Sequence, residues 1–208
     1  MFTPWYIRRI FTHQLDVFRC WAAQSLGNPP VLIGEFGIAY DMQEKRAYRT
    51  GDFRTQIRAM NRTLRAFEDT LLSGTIWNYT ADNTNAHGDG WNDEDLSIFS
   101  RDQQHDPKDV NSGGRALEAV VRPYARAIAG ALLRMGFDLR SRVFECAFRH
   151  DLKATAPTEI YVPDFQYPNG VDVRVSDGTY KMNPENQTLD YSHTAGREIH
   201  TIRIRPKR

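Results

Sequence analysis

Val31-Leu32-Ile33-Gly34-Glu35-Phe36-Gly37 decides how this chain reads. An apolar, unalternated run that ends in a carboxylate between two glycines predicts a parallel strand buried on both faces. A strand that delivers one acid at its carboxyl end is how a parallel α/β barrel presents a catalytic group. Upstream, Ile7, Phe11, Leu15, Phe18, Ala22 and Leu26 recur at helical spacing, and Gly27-Asn28-Pro29-Pro30 stops the helix they predict. Downstream, Phe53, Ile57, Met60, Leu64, Phe67 and Leu71 predict a second helix. Thr50 or Asp52 is placed to cap its start and Ser73-Gly74 to close its end. Thr75-Ile76-Trp77-Asn78-Tyr79 then predicts a second strand, so the first part of the chain runs helix, strand, helix, strand.

Thr80 to Asn111 is a long polar stretch rich in Asp, Asn and Gly. Trp91, Leu96, Ile98 and Phe99 within it predict an ordered loop that packs, and loops of this length in a compact domain serve function. Ser112 to Ala129 predicts a third helix, with Leu117, Val120, Val121, Tyr124 and Ile128 as its stripe and a kink at Pro123. After Gly130 the period changes to two. Leu133, Met135 and Phe137 alternate with other residues, as do Phe144, Cys146 and Phe148. Further strands are predicted over 159–162, 171–175, 188–191 and 199–204, with turns at Ser176-Asp177-Gly178 and Asn183-Pro184. Short strands at this spacing predict a small antiparallel β-sandwich over 131–208, after a first domain over 1–130.

Composition excludes several classes. Of 208 residues a quarter are charged, the net charge is +1, and no basic stripe is visible, so nucleic acid is not an expected partner. No run approaches a membrane span. The start, Met1 to Phe11, lacks a signal peptide's apolar core, and the sequence assigns no compartment. Cys20 and Cys146 lie far apart and read as free thiols. Histidines 13, 87, 105, 150, 193 and 200 show no metal-ligand spacing; they read as surface residues, with only His87 near the expected mouth of the first domain, and no metal is expected.

Three blocks, in order, carry a resemblance. They are Gly34-Glu35-Phe36-Gly37, Thr75-Ile76-Trp77-Asn78-Tyr79, and Asp89-Gly90-Trp91-Asn92-Asp93-Glu94-Asp95-Leu96-Ser97-Ile98. Together they resemble the last two strands of a family 5 glycoside hydrolase (β/α)8 TIM barrel, in the branch that contains endoglycoceramidases and glucosylceramide or steryl β-glucosidases. The segment after 130, including Thr158-Glu159-Ile160-Tyr161-Val162-Pro163, resembles the β-domain that follows the barrel in this branch. The resemblance implies the last two βα units of the barrel followed by the sandwich. It also implies a carboxy-terminal fragment of an enzyme, with Met1 an internal methionine or a truncated start. Family members carry the acid/base glutamate in Asn-Glu-Pro after the fourth strand. That motif is absent here; Asn183-Pro184-Glu185 is scrambled and lies in the sandwich.

The same resemblance implies that Glu35 is the nucleophile of a retaining β-glycosidase acting on glycolipids, with Trp77 as the stacking platform for a sugar face. Tyr40 and Asn83, just beyond the two strand ends, are placed to line the pocket. Asp89 and Trp91 are the loop's substrate-contact candidates, against a loop-ordering role for the same groups. Two carboxylates suffice for this chemistry, so no cofactor is expected. With one of them missing, the chain alone is expected to be inactive, and its natural complement is the amino-terminal barrel half. The competing readings are a non-catalytic sandwich module that contacts carbohydrate or a membrane surface, and one half of a split enzyme.

Overall fold

The computed structural model of the chain describes residues 4–92 and 94–207. Met1 and Asp93, named above, lie outside the described residues. The chain divides into two compact units, Met1–Val120 and Val121–Arg208.

The first unit contains α1 (Pro4–Ser25), β1 (Leu32–Phe36), α2 (Met42–Thr50), α3 (Arg54–Thr70) and β2 (Ser73–Ile76), then a long loop with a 3-10 turn at Arg101–Gln103, and α4 (Leu117–Val120). β1 and β2 pair in parallel, with Leu32 opposite Ser73 and Phe36 opposite Ile76. α3 turns Met60 and Phe67 into the interior, and the Phe67 ring lies 4.4 Å from that of Phe36. α1 lies against α3, tied by Arg8 to Asp69 through Nε at 2.6 Å. The α3 cap position falls to Phe53, which makes no side-chain cap bond, while Asp52 one residue earlier accepts from the Arg54 N–H at 3.1 Å. The end of α3 also differs from the expectation. Leu71 takes the left-handed closing position, while Ser73 and Gly74 belong to β2.

Three other expectations change. β1 is not buried on both faces, because β2 is its one partner strand among the described residues and Leu32 stays 62% exposed. The helix expected over 112–129 shrinks to the single turn of α4. Pro123 supplies no N–H for a helix, and the residues beyond it form β3 (Tyr124–Ala127), which pairs with a strand near residue 160. The units consequently part at Val120/Val121, ten residues before the expected boundary at 130. α2 had no helical signal in its sequence; Gln43, Glu44 and Lys45 begin it with a left-handed turn at φ 56–58°.

The second unit adds β4 (Gly130–Asp138), β5 (Val143–His150), β6 (Thr158–Tyr161), β7 (Val171–Val175), β8 (Thr179–Asn183), β9 (Thr188–Ser192) and β10 (Ile199–Pro206). They form two four-stranded antiparallel sheets, ordered β4-β5-β10-β7 and β3-β6-β9-β8. Period-two alternation turns Phe137, Phe144, Cys146, Phe148, Ile202 and Ile204 of the first sheet inward. They meet Ile160, Leu189 and Tyr191 of the second, all essentially unexposed. Cys20 and Cys146 are both free thiols, and burial pushes that of Cys146 up to about 12. Outside, oppositely charged residues face each other across the ladder. Arg203 meets Glu145, and Arg205 lies 3.1 Å from Asp172.

Phe144 sits at the centre of this core, opposite both Phe137 and Ile204 in register. Phe144→Ala should cost about 3–5 kcal/mol, read as a lower urea midpoint for the second unit.

Candidate functional site

The site is built at the carboxyl ends of two adjacent parallel strands. Glu35 is the penultimate residue of β1 and is exposed; Trp77 follows β2 directly and is 37% exposed. The strands are locked in this alignment by the Trp77 N–H donating to the Phe36 carbonyl at 2.8 Å and by the Thr75 hydroxyl donating to the Gly34 carbonyl. Gly37 is required for the approach: a Cβ there would lie 2.1 Å from the Trp77 carbonyl oxygen, a backbone atom that cannot step aside. The Trp77–Asn78 peptide is cis. Asn78 is held on all sides. Its N–H donates to Leu96, its carbonyl accepts from Ile98, and its side-chain amide donates to Asp89 at 3.0 Å.

One buried ion pair organises the loop that follows. Asp95 and Arg115 are 3% and 1% exposed. Asp95 accepts from both guanidinium nitrogens of Arg115, from the Tyr48 hydroxyl and from the Asn83 amide at 2.9 Å. Arg115 spends its remaining donors on the Ser97 carbonyl and the Tyr48 hydroxyl and stacks 4.3 Å over the Tyr40 ring. The backbone closes the circuit: the Tyr40 N–H donates to the Asp95 carbonyl at 2.7 Å. The segment after β1 and the loop after β2 are thereby fastened to one another. Burial opposes ionisation of Asp95, but Arg115, Tyr48 and Asn83 outweigh it and hold its carboxyl below the usual range.

This corrects the pocket-lining role expected for Tyr40 and Asn83. Both are fully buried, so neither reaches a ligand; they brace the loop. Asp89 is half-buried and orders its own turn, accepting from the Asn78 amide and the Trp91 N–H at 3.0 Å. Trp91 is 63% exposed. Asp41, Lys45, His87, Glu94 and Asp95 line an open cleft of about 510 Å³, which excludes Glu35 and Trp77 from its lining. A 550 Å³ apolar groove lies elsewhere in the unit, between α1, β1 and α3, lined by Phe11, Phe18, Ile33, Phe36 and Phe67.

The second unit holds a cluster that sequence reading assigned to the surface. His150 at the end of β5, His193 just after β9 and His200 in β10 bring their ligand atoms within 4.8 Å of one another. The signal lay in strand pairing rather than spacing: β10 runs antiparallel to β5 with His200 opposite Phe148. His200 is fully buried, and its Nδ1 lies 2.7 Å from Asp177 in the β7–β8 turn. These three imidazoles are the group among the described residues able to hold a metal ion.

Comparison with known proteins places these features in a family. Residues 122–204 match the glycoside hydrolase family 5 C-terminal domain. The chain is similar to a glucosylceramidase of Rhizopus delemar, 34% identical over 81% of this chain and 27% of that protein. It is also similar to the ergosteryl-beta-glucosidase of Saccharomyces cerevisiae, 28% identical over 97% of this chain and 34% of that protein. The structure of Cryptococcus neoformans sterylglucosidase 1 matches all of this chain and 33% of its own, with TM-score 0.91 and 31% identity. Endo-glycoceramidase II from Rhodococcus sp. shares the fold at TM-score 0.64 and 21% identity. The chain spans about a third of the length of these relatives.

The ion pair makes a pH prediction. A carboxyl held below its unfolded value of about 3.9 contributes stability that is complete above about pH 4 and is lost as pH falls towards the folded value. Urea midpoints of the first unit, followed by tryptophan fluorescence, should therefore fall with acidification below about pH 4. Asp95→Asn should flatten that slope, and Arg115→Met should cost about 3–5 kcal/mol at neutral pH by stranding the buried carboxylate.

Proposed function

We propose that this chain, which belongs with the family 5 glycoside hydrolases of the glucosylceramidase and sterylglucosidase type, carries the nucleophile of a retaining β-glycosidase acting on glycolipid glucosides. The observation that carries the proposal is the placement of Glu35 and Trp77 at adjacent carboxyl ends of a parallel strand pair, the end at which α/β barrels keep their chemistry. β1 and β2 are then the last two strands of a (β/α)8 barrel. The exposed Leu32 and the apolar groove lined by Phe11, Phe18 and Phe36 support that reading, since apolar surface of this extent calls for a covering layer.

In the mechanism, the Glu35 carboxylate attacks the anomeric carbon as the bond to the leaving oxygen breaks, giving a glycosyl ester. A second carboxyl, roughly 5 Å away, protonates the leaving oxygen and then takes a proton from the water that cleaves the ester. The second carboxyl comes from the part of the relatives that this chain does not span, because Asn-Glu-Pro is absent from the sequence. Trp77 offers a flat apolar face to the sugar's C–H surface. Trp91, with Asp89 setting its turn, is the loop's contact to sugar or aglycone. The Asp95–Arg115 pair, Tyr40 and Asn83 act indirectly, by fixing where that loop stands. Two carboxylates complete the chemistry without a metal or organic cofactor.

The test is an assay with a fluorogenic β-glucoside. The purified chain should show no turnover. Adding a polypeptide that carries barrel strands one to six and Asn-Glu-Pro should restore it, and Glu35→Gln should abolish the restored turnover, because no glycosyl ester can then form. Restored activity that survives Glu35→Gln would remove the nucleophile assignment. Turnover by the chain alone, abolished by the same substitution, would show that the second carboxyl lies within it.

A further inference from the structure

The glycosidase reading leaves one group of side chains unused, and it lies wholly in the sandwich. We propose that His150, His193 and His200 form a binding site for a single divalent transition-metal ion of the zinc class, which ties the two sheets of the sandwich together. His150 and His200 belong to the β4-β5-β10-β7 sheet, and His193 leaves the β3-β6-β9-β8 sheet at the end of β9. One ion held by all three is therefore a cross-link between layers that otherwise meet mainly through apolar packing and the hydrogen bonds around Asp177.

The geometry is close to what an ion needs. In a tetrahedral site with metal–nitrogen bonds of about 2.0–2.1 Å, ligand nitrogens stand about 3.3–3.4 Å apart. Here His150 Nδ1 and His200 Nε2 are separated by 2.9 Å, and all three ligand atoms lie within 4.8 Å of one another. The shortest separation must open by about half an ångström and the longest must close, which small side-chain rotations accomplish. The rings are already gathered, with His193 stacked on His150 at 5.1 Å between centroids and 4.4 Å from His200.

The surroundings also direct the donor atoms. Asp177 is fixed by the Ser176 hydroxyl at 2.7 Å, the Tyr191 hydroxyl at 2.9 Å, the Thr194 N–H at 2.8 Å and the Thr194 hydroxyl at 2.6 Å. So anchored, it accepts the Nδ1–H of His200, which leaves His200 Nε2 as a lone pair facing the cluster. Carboxylates backing a ligating imidazole in this way set its tautomer and raise its basicity. Before an ion arrives, His150 Nδ1–H donates to that lone pair; on binding, the proton moves to His150 Nε2 and both nitrogens face the metal. Phe148 and Tyr191 wall the site on its inner side, with their rings 5.3 and 6.3 Å from that of His200. Imidazole donors suit zinc and its neighbours rather than calcium or magnesium, which require oxygen. Three protein ligands leave a fourth position for water or a partner's side chain.

The experiment uses the full chain, free of tag histidines and stripped with a chelator, titrated with zinc chloride at neutral pH in a calorimeter. One ion should bind per chain, with a raised thermal unfolding midpoint. His193→Gln and His150→Gln, both at half-buried positions, should each weaken binding at least about tenfold, and Asp177→Asn by roughly 10–100-fold. Cobalt(II) added to the unaltered chain gives a measure independent of any variant: intense visible absorption from a four-coordinate ion is expected. A weak six-coordinate spectrum, no saturable zinc binding, or binding undiminished in the His150→Gln/His193→Gln double variant would each overturn the proposal.

Discussion

The Asp95–Arg115 pair, buried with every guanidinium donor occupied, is the constraint on which the first unit depends. A buried charge costs several kcal/mol unless it is paired and hydrogen-bonded, so each partner fixes the other's surroundings. Tyr48 and Asn83 complete the carboxylate's shell and Ser97 completes the guanidinium's. Because these groups come from the segment after β1, from α2 and from three places in the long loop, satisfying one ion pair fixes the loop. The strand ends are set by a second, steric condition at Gly37. Between them, Glu35 and Trp77 are presented on a frame rather than on mobile backbone, which suits a site that must hold its reacting groups to fractions of an ångström.

The sandwich follows a different logic. Its interior is almost wholly apolar, and its specificity comes from register: alternate residues of β5 and β10 face inward together, while their outward neighbours form opposite-charge pairs. Besides single buried polar residues such as Thr158, Gln166 and Thr188, the exception is the edge where Asp177, His200 and two further imidazoles meet. A polar cluster inside a hydrophobic layer is expensive unless its members are satisfied; Asp177 satisfies one nitrogen of His200 and His150 the other, with the His193 ring packed against both imidazoles.

Local pattern made much of this legible. The spacing of Phe53 to Leu71 gave α3 because helix faces repeat in sequence, and Phe144-Cys146-Phe148 gave β5 for the corresponding reason in strands. Glu35 stood out because an acid ending an apolar run is chemically incongruous, and the strand expected there is β1. The misses share one cause, which is that partners distant in sequence decide them. The stripe from Leu117 to Ile128 is helical in spacing, yet pairing with β6 draws Tyr124–Ala127 into a sheet. Thr179–Asn183 forms β8 at a sheet edge; Tyr180 and Met182 alternate with polar residues there, but over only five positions between two turns. Tyr40 and Asn83 looked like pocket lining because only the folded loop shows them buried. The histidine cluster needs three strand positions brought together, and no one-dimensional spacing encodes that.

Function in this account rests on one carboxylate in one position. The family 5 C-terminal domain over residues 122–204 and the likeness to glucosylceramidases and steryl glucosidases over the chain support the proposed chemistry, in which Glu35 in β1 would supply the attacking atom. The direct measurement is covalent trapping. A version of Cryptococcus neoformans sterylglucosidase 1 whose matching third is replaced by this chain would be treated with an activated 2-deoxy-2-fluoro-β-glucoside, digested and mapped by mass spectrometry. The account predicts one glycosyl adduct, on the peptide containing Glu35 and on that carboxylate. An adduct on any other carboxylate, in an enzyme that still turns over substrate, would contradict it.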